Sequence, residues 1–561
     1  MKKIKTLFSS ISKKTKRYIL VFSIIFFGGI TISFVDNDFE IAKNIDIFST
    51  VLRELNSNYV DEINPGDIVK TAIDGMLESL DPYTVFYPES EMEEYKLITT
   101  GQYGGIGALI TQQGDYVVIS DPYEGTPAMK SGLNAGDKIL EVNDKSAKGK
   151  TTSEVSAILK GQPGTILKLL ILPYGETKPI EKSIIREEIK LPNIPYSQKI
   201  TDDVGYIKLS QFTENAAKEL KDAFLKQKEQ GIKSLIIDLR GNGGGLLQEA
   251  VMIMNIFVDK DNLIVSTKGK VKDKNYNYKT IFPAVDNEIP IVVLVDPSSA
   301  SASEIVAGSF QDLDRGVVIG QRTFGKGLVQ NIIPISYNTK MKVTISKYYI
   351  PSGRCIQAID YSDKNEGKKR KKIADSLAIA YKTKNGRVVY DRGGVDPDII
   401  VSTPKGINII ASLYTKFLFF DFANKYKKEH PSIPAAKEFV INDNLYNEFI
   451  SFVKTKDYDY ETESEKYLSD LKKSAESEKY FDAIKDDYEK LFDKLKHDKN
   501  ADLIKYKKEI SLILRTEIVS RYYFQKGQYE VLFDDDPELK QAIEILNDTK
   551  KYQSILKGIK K

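Results

Sequence analysis

Residues 296–330, DPSSASASEIVAGSFQDLDRGVVIGQRTFGKGLVQ, hold a cluster of serines and a lysine set between two glycines. A serine hydroxyl needs a base before it can attack a carbonyl. Histidine is the usual base, yet the chain has only two, His430 and His497, both in a charged region far downstream. Lysine can replace it once burial lowers the amine from its ordinary value of about 10.4, because the neutral form then becomes available. Lys326, in TFGKG, is flanked by glycines that let it enter a tight apolar site. The single cysteine, Cys355, has no histidine nearby and reads as a buried or half-buried structural residue. One cysteine leaves no intrachain disulfide and no Cys-rich metal site, and without H-E-x-x-H a catalytic zinc is hard to build. Neither a metal nor a cofactor is expected.

These residues need elements to hold them. The apolar run IVVLVD, 291–296, reads as a strand that delivers the serines, and VVIG, 317–320, as a second strand leading to the lysine loop. Between them Ser301 and Glu304 form S-x-x-E ahead of Ile305, Val306, Phe310 and Leu313, the signature of a helical capping box. A structural cap and a nucleophile at a helix N-terminus are compatible, since the helix dipole favours negative charge there. Asp312 falls in the last turns of that helix, where a solvated or ion-paired role is expected. Upstream, GYIKLSQF is a strand, 214–230 a helix, and SLIIDLR a buried strand ending in the turn Gly241-Asn242-Gly243-Gly244-Gly245. That turn lacks the G-K-[ST] of a phosphate loop and the G-x-G-x-x-G of a dinucleotide site.

SASASEIVAG followed by TFGKGLVQ resembles the C-terminal processing peptidases, or tail-specific proteases, which use a Ser/Lys dyad. In that family the lysine follows the serine by twenty-five positions and a glutamine follows the lysine by four, as Lys326 follows Ser301 and Gln330 follows Lys326 here. The resemblance implies Ser301 as nucleophile, Lys326 as general base and Gln330 as the group that orients the lysine. Ser298, Ser299 and Ser303 are bystanders on this spacing. DLRGNGGG resembles the family's D-L-R-x-N-x-G-G, which implies oxyanion-hole amides at Gly244 and Ala302 and leaves Asp238 and Arg240 structural. GQYGGIGALI with GLNAGDKILEVN is similar to a PDZ domain, and Gly105, Ile106, Gly107 and Ala108 occupy the place of its carboxylate-binding loop. There unshielded amides would hold a peptide's terminal carboxylate while the peptide adds as a strand, with a pocket lined by side chains such as Ile106 and Ile110. The resemblance runs from about residue 40 to 403, and GGVDPDIIV, 393–401, marks its end.

With 561 residues, 41% apolar and 29% charged, the chain is expected to be multidomain and globular. Its 82 basic and 79 acidic residues nearly balance, which gives no reason to expect nucleic acid. Residues 18–35, YILVFSIIFFGGITISFV, follow seven basic residues and carry no charge. They read as an uncleaved membrane anchor, with a cleaved signal peptide as the alternative, and place the rest outside the cytoplasm, in a bacterium the periplasm or cell exterior. The expected architecture is a multidomain α+β chain. Residues 1–36 form the basic segment and N-terminal membrane helix, 37–86 a helical region broken at Asn64-Pro65-Gly66, and 87–178 a PDZ domain. Residues 179–403 form a crotonase-like α/β protease core, and 404–561 a charged helical region of unknown role. The function expected is a serine endopeptidase that reads protein C-termini, its partners being protein or peptide substrates and the cytoplasmic membrane. A homo-oligomer and a substrate-delivering adaptor protein are both compatible with it. The alternatives are an inactive PDZ peptide-binding scaffold and, on topology alone, an acyl-CoA enzyme.

Overall fold

The structure, a computed structural model, describes residues 38–361, 374–391, 393–402, 406–495 and 499–559. The described residues form two compact units, divided between residues 86 and 87. In the first, a helix over 38–58 is followed by another at Pro65–Glu78, where Asn64 Oδ1 accepts the Gly66 N–H at 3.0 Å. The Asn-Pro-Gly signal that interrupts the apolar spacing thus starts the second helix, with proline at a position whose N–H has no helical partner. The apolar segment 18–35, expected to cross a membrane, lies outside the described residues. Among the described residues no helix is long and apolar enough to span a bilayer.

The second unit opens with the PDZ region. Strand β1 (Gln102–Gly105) leads through a tight loop into β2 (Ala108–Gln113), followed by β3 (Tyr116–Pro122), β4 (Lys138–Val142), helix α1 (Thr152–Leu159), β5 (Ile166–Leu172), β6 (Ile180–Ile185) and β7 (Glu187–Lys190). The antiparallel sheet runs β2-β3-β4-β5-β6, leaving β2 at an edge, while β1 pairs with β7. Alternate residues Leu167, Leu169 and Ile171 of β5 turn inward onto Val117, Ile119, Ile139 and Val155, as a half-buried strand requires. Thr151 and Glu154 cap α1 with a complete capping box.

The α/β core follows, with β8 (Tyr196–Lys199), β9 (Val204–Lys208), α2 (Ala216–Glu229), β10 (Ser234–Asp238), α3 (Leu247–Phe257) and β11 (Leu263–Gly269). Next come β12 (Ile291–Val295), α4 (Ala302–Asp312), β13 (Val317–Gly320), β14 (Leu328–Pro334), β15 (Lys340–Tyr349) and β16 (Ile399–Ile400). The central sheet has the order β8-β9-β10-β12-β13-β16, parallel except for β8. Its central strands β12 and β13 are apolar throughout because both faces are covered. Leu235, Ile237, Ile291 and Val293 pack under α2, α3 and α4. Ile236, Val292, Leu294 and Ile319 point the other way, onto Leu539, Ala542, Ile545, Tyr552 and Leu556. These last residues belong to α7 (Pro537–Asn547) and α8 (Thr549–Leu556), at the far end of the charged region. The final helices therefore complete the core sheet, a pairing no local pattern announces.

The remaining C-terminal helices pack around their own aromatic cluster of Phe419, Phe422 and Phe449. Two of them, α5 (Leu418–Glu429) and α6 (Lys507–Leu532), meet the PDZ sheet. Tyr174 Oη donates to the Asp421 carbonyl at 2.8 Å, Lys428 pairs with Glu176 at 2.7 Å, and a cavity of about 680 Å³ lies between the two regions. Inside α6, Phe524 breaks helical geometry at φ 53°, ψ −153°, and it lines that cavity. Asp121, at the end of β3, faces the same space. Burial pushes its carboxyl up to about 6, Glu517 adding to the rise and the Arg521 guanidinium opposing it. The folded state holds this proton more tightly than an unfolded aspartate does, so its stabilising effect is present at low pH and is lost as pH rises through about 6. Asp121→Asn should therefore raise the melting temperature by a few degrees near pH 7.5 and far less at about pH 4. Calorimetry that finds equal shifts at both would exclude the charge as the cause.

Candidate active site

At the end of β12 the chain turns through residues 296–301 into α4. Ser301 is the N-cap of that helix at φ 56°, ψ −113°. Few residues other than glycine accept a positive φ, and such strain persists only where the surroundings enforce it. The neighbouring serines have other bonds. Ser299 Oγ donates to the Leu239 carbonyl at 2.8 Å and Ser303 Oγ to the Asn242 carbonyl at 2.9 Å, both fully buried, while Ser298 is exposed. Because the Ala300 N–H also donates to the Asn242 carbonyl at 3.0 Å, the serine turn and the glycine turn 241–245 are tied through one residue.

The glycine turn lies against Ser301. A Cβ on Gly244, which sits at φ +98°, would come 2.6 Å from the Ala300 carbonyl oxygen, 2.8 Å from Ser301 Cβ and 2.9 Å from Ala302 N. Only glycine allows that approach, and it brings Gly244, Ser301 and Ala302 together. In this arrangement the Gly244 N–H donates to Asn242 Oδ1 at 2.9 Å, and Asn242 Nδ2 donates to the Leu209 carbonyl at 2.8 Å. Asn242, fully buried, was passed over in the sequence as one letter of a glycine-rich turn.

Glu304 joins the serine turn to the lysine loop. The capping box forms, with the Ser301 N–H donating to Glu304 Oε2 at 2.8 Å. The same oxygen accepts the Lys326 N–H at 2.9 Å, and Oε1 accepts the Gly325 N–H at 2.7 Å and the Thr323 hydroxyl at 2.5 Å. Two bonds converging on one oxygen hold the backbone nitrogens of Ser301 and Lys326 less than two hydrogen-bond lengths apart. Burial pushes the Glu304 carboxyl up, and the four hydrogen bonds pull it back toward the ionised form. In sequence this glutamate looks like an ordinary cap, because the three further donors arrive from about twenty positions downstream. Tyr348, buried on β15, completes the frame. Its hydroxyl donates to the Ser301 carbonyl at 3.1 Å and its N–H to the Gly327 carbonyl at 3.0 Å.

Lys326 is half-buried in this loop. Gln330 lies on β14 just past a bulge, opposite Thr344 of β15, and its Nε2 donates to Thr344 Oγ1 at 3.2 Å. Asp312 is buried and ion-paired with Arg354 at 2.9 Å, and Cys355 is half-buried. In the PDZ region Gly105 closes β1 and Ala108 opens β2. Gly107 takes φ +74°, and its carbonyl accepts the Tyr123 N–H at 2.9 Å and the Thr126 hydroxyl at 2.8 Å. Ile106, 3% exposed, is part of the PDZ core rather than a wall of an open pocket, while Ile110 is half-buried.

Residues 203–362 match the model of peptidase family S41, 118–173 that of the PDZ domain, and 409–546 that of the probable PDZ-protease C-terminal helical domain. A carboxy-terminal-processing protease of Bartonella bacilliformis is 35% identical over 328 residues, covering 58% of this chain and 75% of that protein. A probable CtpA-like serine protease of Staphylococcus aureus is 32% identical over 376 residues, covering 66% of this chain and 68% of that protein. The solved structure of a photosystem II D1 C-terminal processing protease is 26% identical, covering 64% of this chain and 88% of that one at a TM-score of 0.35. The chain belongs to the carboxy-terminal-processing proteases of peptidase family S41, and it is a serine protease with a PDZ domain and a C-terminal helical domain.

Two substitutions probe the frame. Gly244→Ala should abolish proteolysis while the chain still folds, because the added carbon meets two backbone atoms and the Ser301 Cβ of the serine turn. Glu304→Gln keeps the shape but turns an amide NH₂ toward donors, so it should lower stability by about 2–4 kcal/mol and remove activity. Chemical denaturation and a cleavage assay read both. Wild-type turnover in either variant would show that the turn tolerates displacement.

Proposed function

We propose that this protease recognises the C-terminal ends of protein substrates through its PDZ region and cleaves them by a Ser/Lys mechanism. Ser301 Oγ attacks the scissile carbonyl carbon as Lys326 Nζ takes the hydroxyl proton. The C–N bond then breaks and Lys326 returns the proton to the leaving amine. Water hydrolyses the remaining ester and restores the serine. Ala302 offers its amide to the oxyanion, and Gly244 offers the second once its N–H turns from Asn242 Oδ1, to which it donates in this structure. Gln330 is assigned the weaker role of orienting the lysine; with Nε2 donated to Thr344, its Oε1 is the atom that would accept a proton of the amine. The observation that carries this reading is the single Glu304 carboxylate that holds the Ser301 turn and the Lys326 loop together. Membership of a protease family speaks against an inactive scaffold.

Substrate tails are proposed to add along the free edge of β2, beside α1, with the terminal carboxylate at the Gly105–Ala108 loop. A docked tail would then deliver the chain and shift the enzyme toward its active arrangement. The uncharged segment 18–35 behind a basic N-terminus supports an anchor in the bacterial cytoplasmic membrane with the protease on its outer side.

In a cleavage assay Ser301→Ala and Lys326→Ala should each reduce turnover by about 1,000-fold or more with folding intact. Lys326→Arg should be nearly as damaging, since guanidinium does not give up its proton, whereas Gln330→Ala should retain partial activity. Near wild-type turnover in either alanine variant removes the dyad. Because the base must be neutral, turnover should rise with pH and ignore chelators and thiol reagents. Strong inhibition by EDTA contradicts the mechanism. Amidating a substrate's C-terminus, or ending it in aspartate, should slow cleavage; unchanged rates for both would show that the loop does not read tails.

A further inference from the structure

Beneath the glycine turn lies a buried charge network that reaches into the C-terminal helical region. Asp238, at the end of β10, is 2% exposed and accepts from Tyr206 Oη at 2.6 Å, Lys208 Nζ at 3.2 Å and Arg240 Nη2 at 2.6 Å. Arg240 is the last residue before Gly241. Its carbonyl accepts from Lys208 Nζ, and its guanidinium goes on to Asp536 at 2.7 Å and Glu538 at 3.3 Å. Burial alone would lift the Asp238 carboxyl; Lys208 and Arg240 hold it well below the usual carboxylate range instead. Two cations therefore face three carboxylates, two of which come from the start of α7, and burial, with Asp536 alongside, pushes the Glu538 carboxyl up.

The acidic run FDDDPE, 533–538, divides its residues by direction. Asp534 and Asp535 turn outward to Arg515 and Lys508, at 3.2 and 3.1 Å, and their side chains are 59% and 33% exposed. Asp536 and Glu538, 12% and 7% exposed, turn inward to Arg240. Phe533 seats the run, with its ring 4.8 Å from that of Tyr206 and 5.3 Å from that of Tyr196. From Arg240 the restraint passes directly into the turn. The Gly241 N–H donates to Asp296 Oδ1 at 3.0 Å, and Asn242 and Gly244 follow, against Ser301.

We propose that Asp536 and Glu538 are positioning residues for proteolysis, which act through Arg240 to set the place of the Gly244 amide beside Ser301. The C-terminal helical region is then a part of the catalytic apparatus. The inference rests on the assignment of Gly244 to the oxyanion hole. Without the two carboxylates the guanidinium keeps Asp238 alone, and the peptide that enters the turn loses the restraint from α7 while its bonds to Asp238 and Lys208 remain.

The test uses the full chain carrying Asp536→Asn and Glu538→Gln together. Asparagine still caps α7, where Asp536 now accepts the Leu539 N–H at 2.9 Å, so the change removes charge and leaves the cap. Cleavage of an unfolded protein should show kcat about 10- to 100-fold lower with KM within about twofold. Affinity for a peptide boronate, which forms a tetrahedral adduct on the serine, should fall by the same factor as kcat, while binding of an uncleavable tail peptide to the PDZ region stays unchanged. Asp536→Glu with Glu538→Asp should recover part of kcat. Unchanged kcat and boronate affinity would overturn the proposal, and so would a loss of boronate and tail binding together, which marks general damage. If the double variant fails to fold, Asp536→Asn alone is judged by the same readings. An inactive wild-type chain, or an active Ser301→Ala variant, would instead defeat the protease site assignment itself.

Discussion

One buried carboxylate sets the geometry on which this site depends. Glu304 accepts from Ser301, Thr323, Gly325 and Lys326, and so joins the N-terminus of α4 to the loop beyond β13. An ionised carboxylate without water is tolerated only when its lone pairs are filled, and here four donors fill them. The arrangement is reciprocal. The charge needs the two loops to stay folded around it, and the loops need the charge to keep the serine turn at a positive φ beside a glycine that admits no Cβ.

That local frame stands on a parallel sheet, and the sheet must be covered on both sides. Helices α2, α3 and α4 close one face through the usual crossovers, as consecutive strand and helix patterns predict. The second face is closed by α7 and α8, which return from the end of the chain. Tyr552 illustrates how closely they fit, its hydroxyl accepting the Ile291 N–H at 3.0 Å within the core sheet. The helical region thus has three attachments: its own aromatic core, the PDZ sheet, and the underside of the catalytic sheet. Arg240 lies on the route from the third of these to the glycine turn.

Much of this was legible from residue types and spacing. Length and composition indicated a multidomain globular chain, the apolar runs at 235–237 and 291–295 indicated strands, and S-x-x-E marked the start of α4. The Ser301, Lys326 and Gln330 spacing, with the glycine-rich turns, led to the family to which the chain proves to belong. These signals are local or nearly so, because helix caps, strand alternation and glycine turns are fixed by residues within a few positions of one another. Partners contributed by distant segments were not legible. Nothing around Glu304 distinguishes a cap from a clamp, nothing in a lysine-rich and glutamate-rich tail tells Asp536 from Asp535, and Ile106 was expected beside a pocket but packs inward. Such assignments follow from which surfaces meet once the sheet closes, and burial then decides which charges must find partners and which remain solvated. The sequence by itself determined the strands, the turns and the chemical groups; the tertiary structure alone decided which carboxylates hold them in place, because desolvation acts only on groups that packing has removed from water.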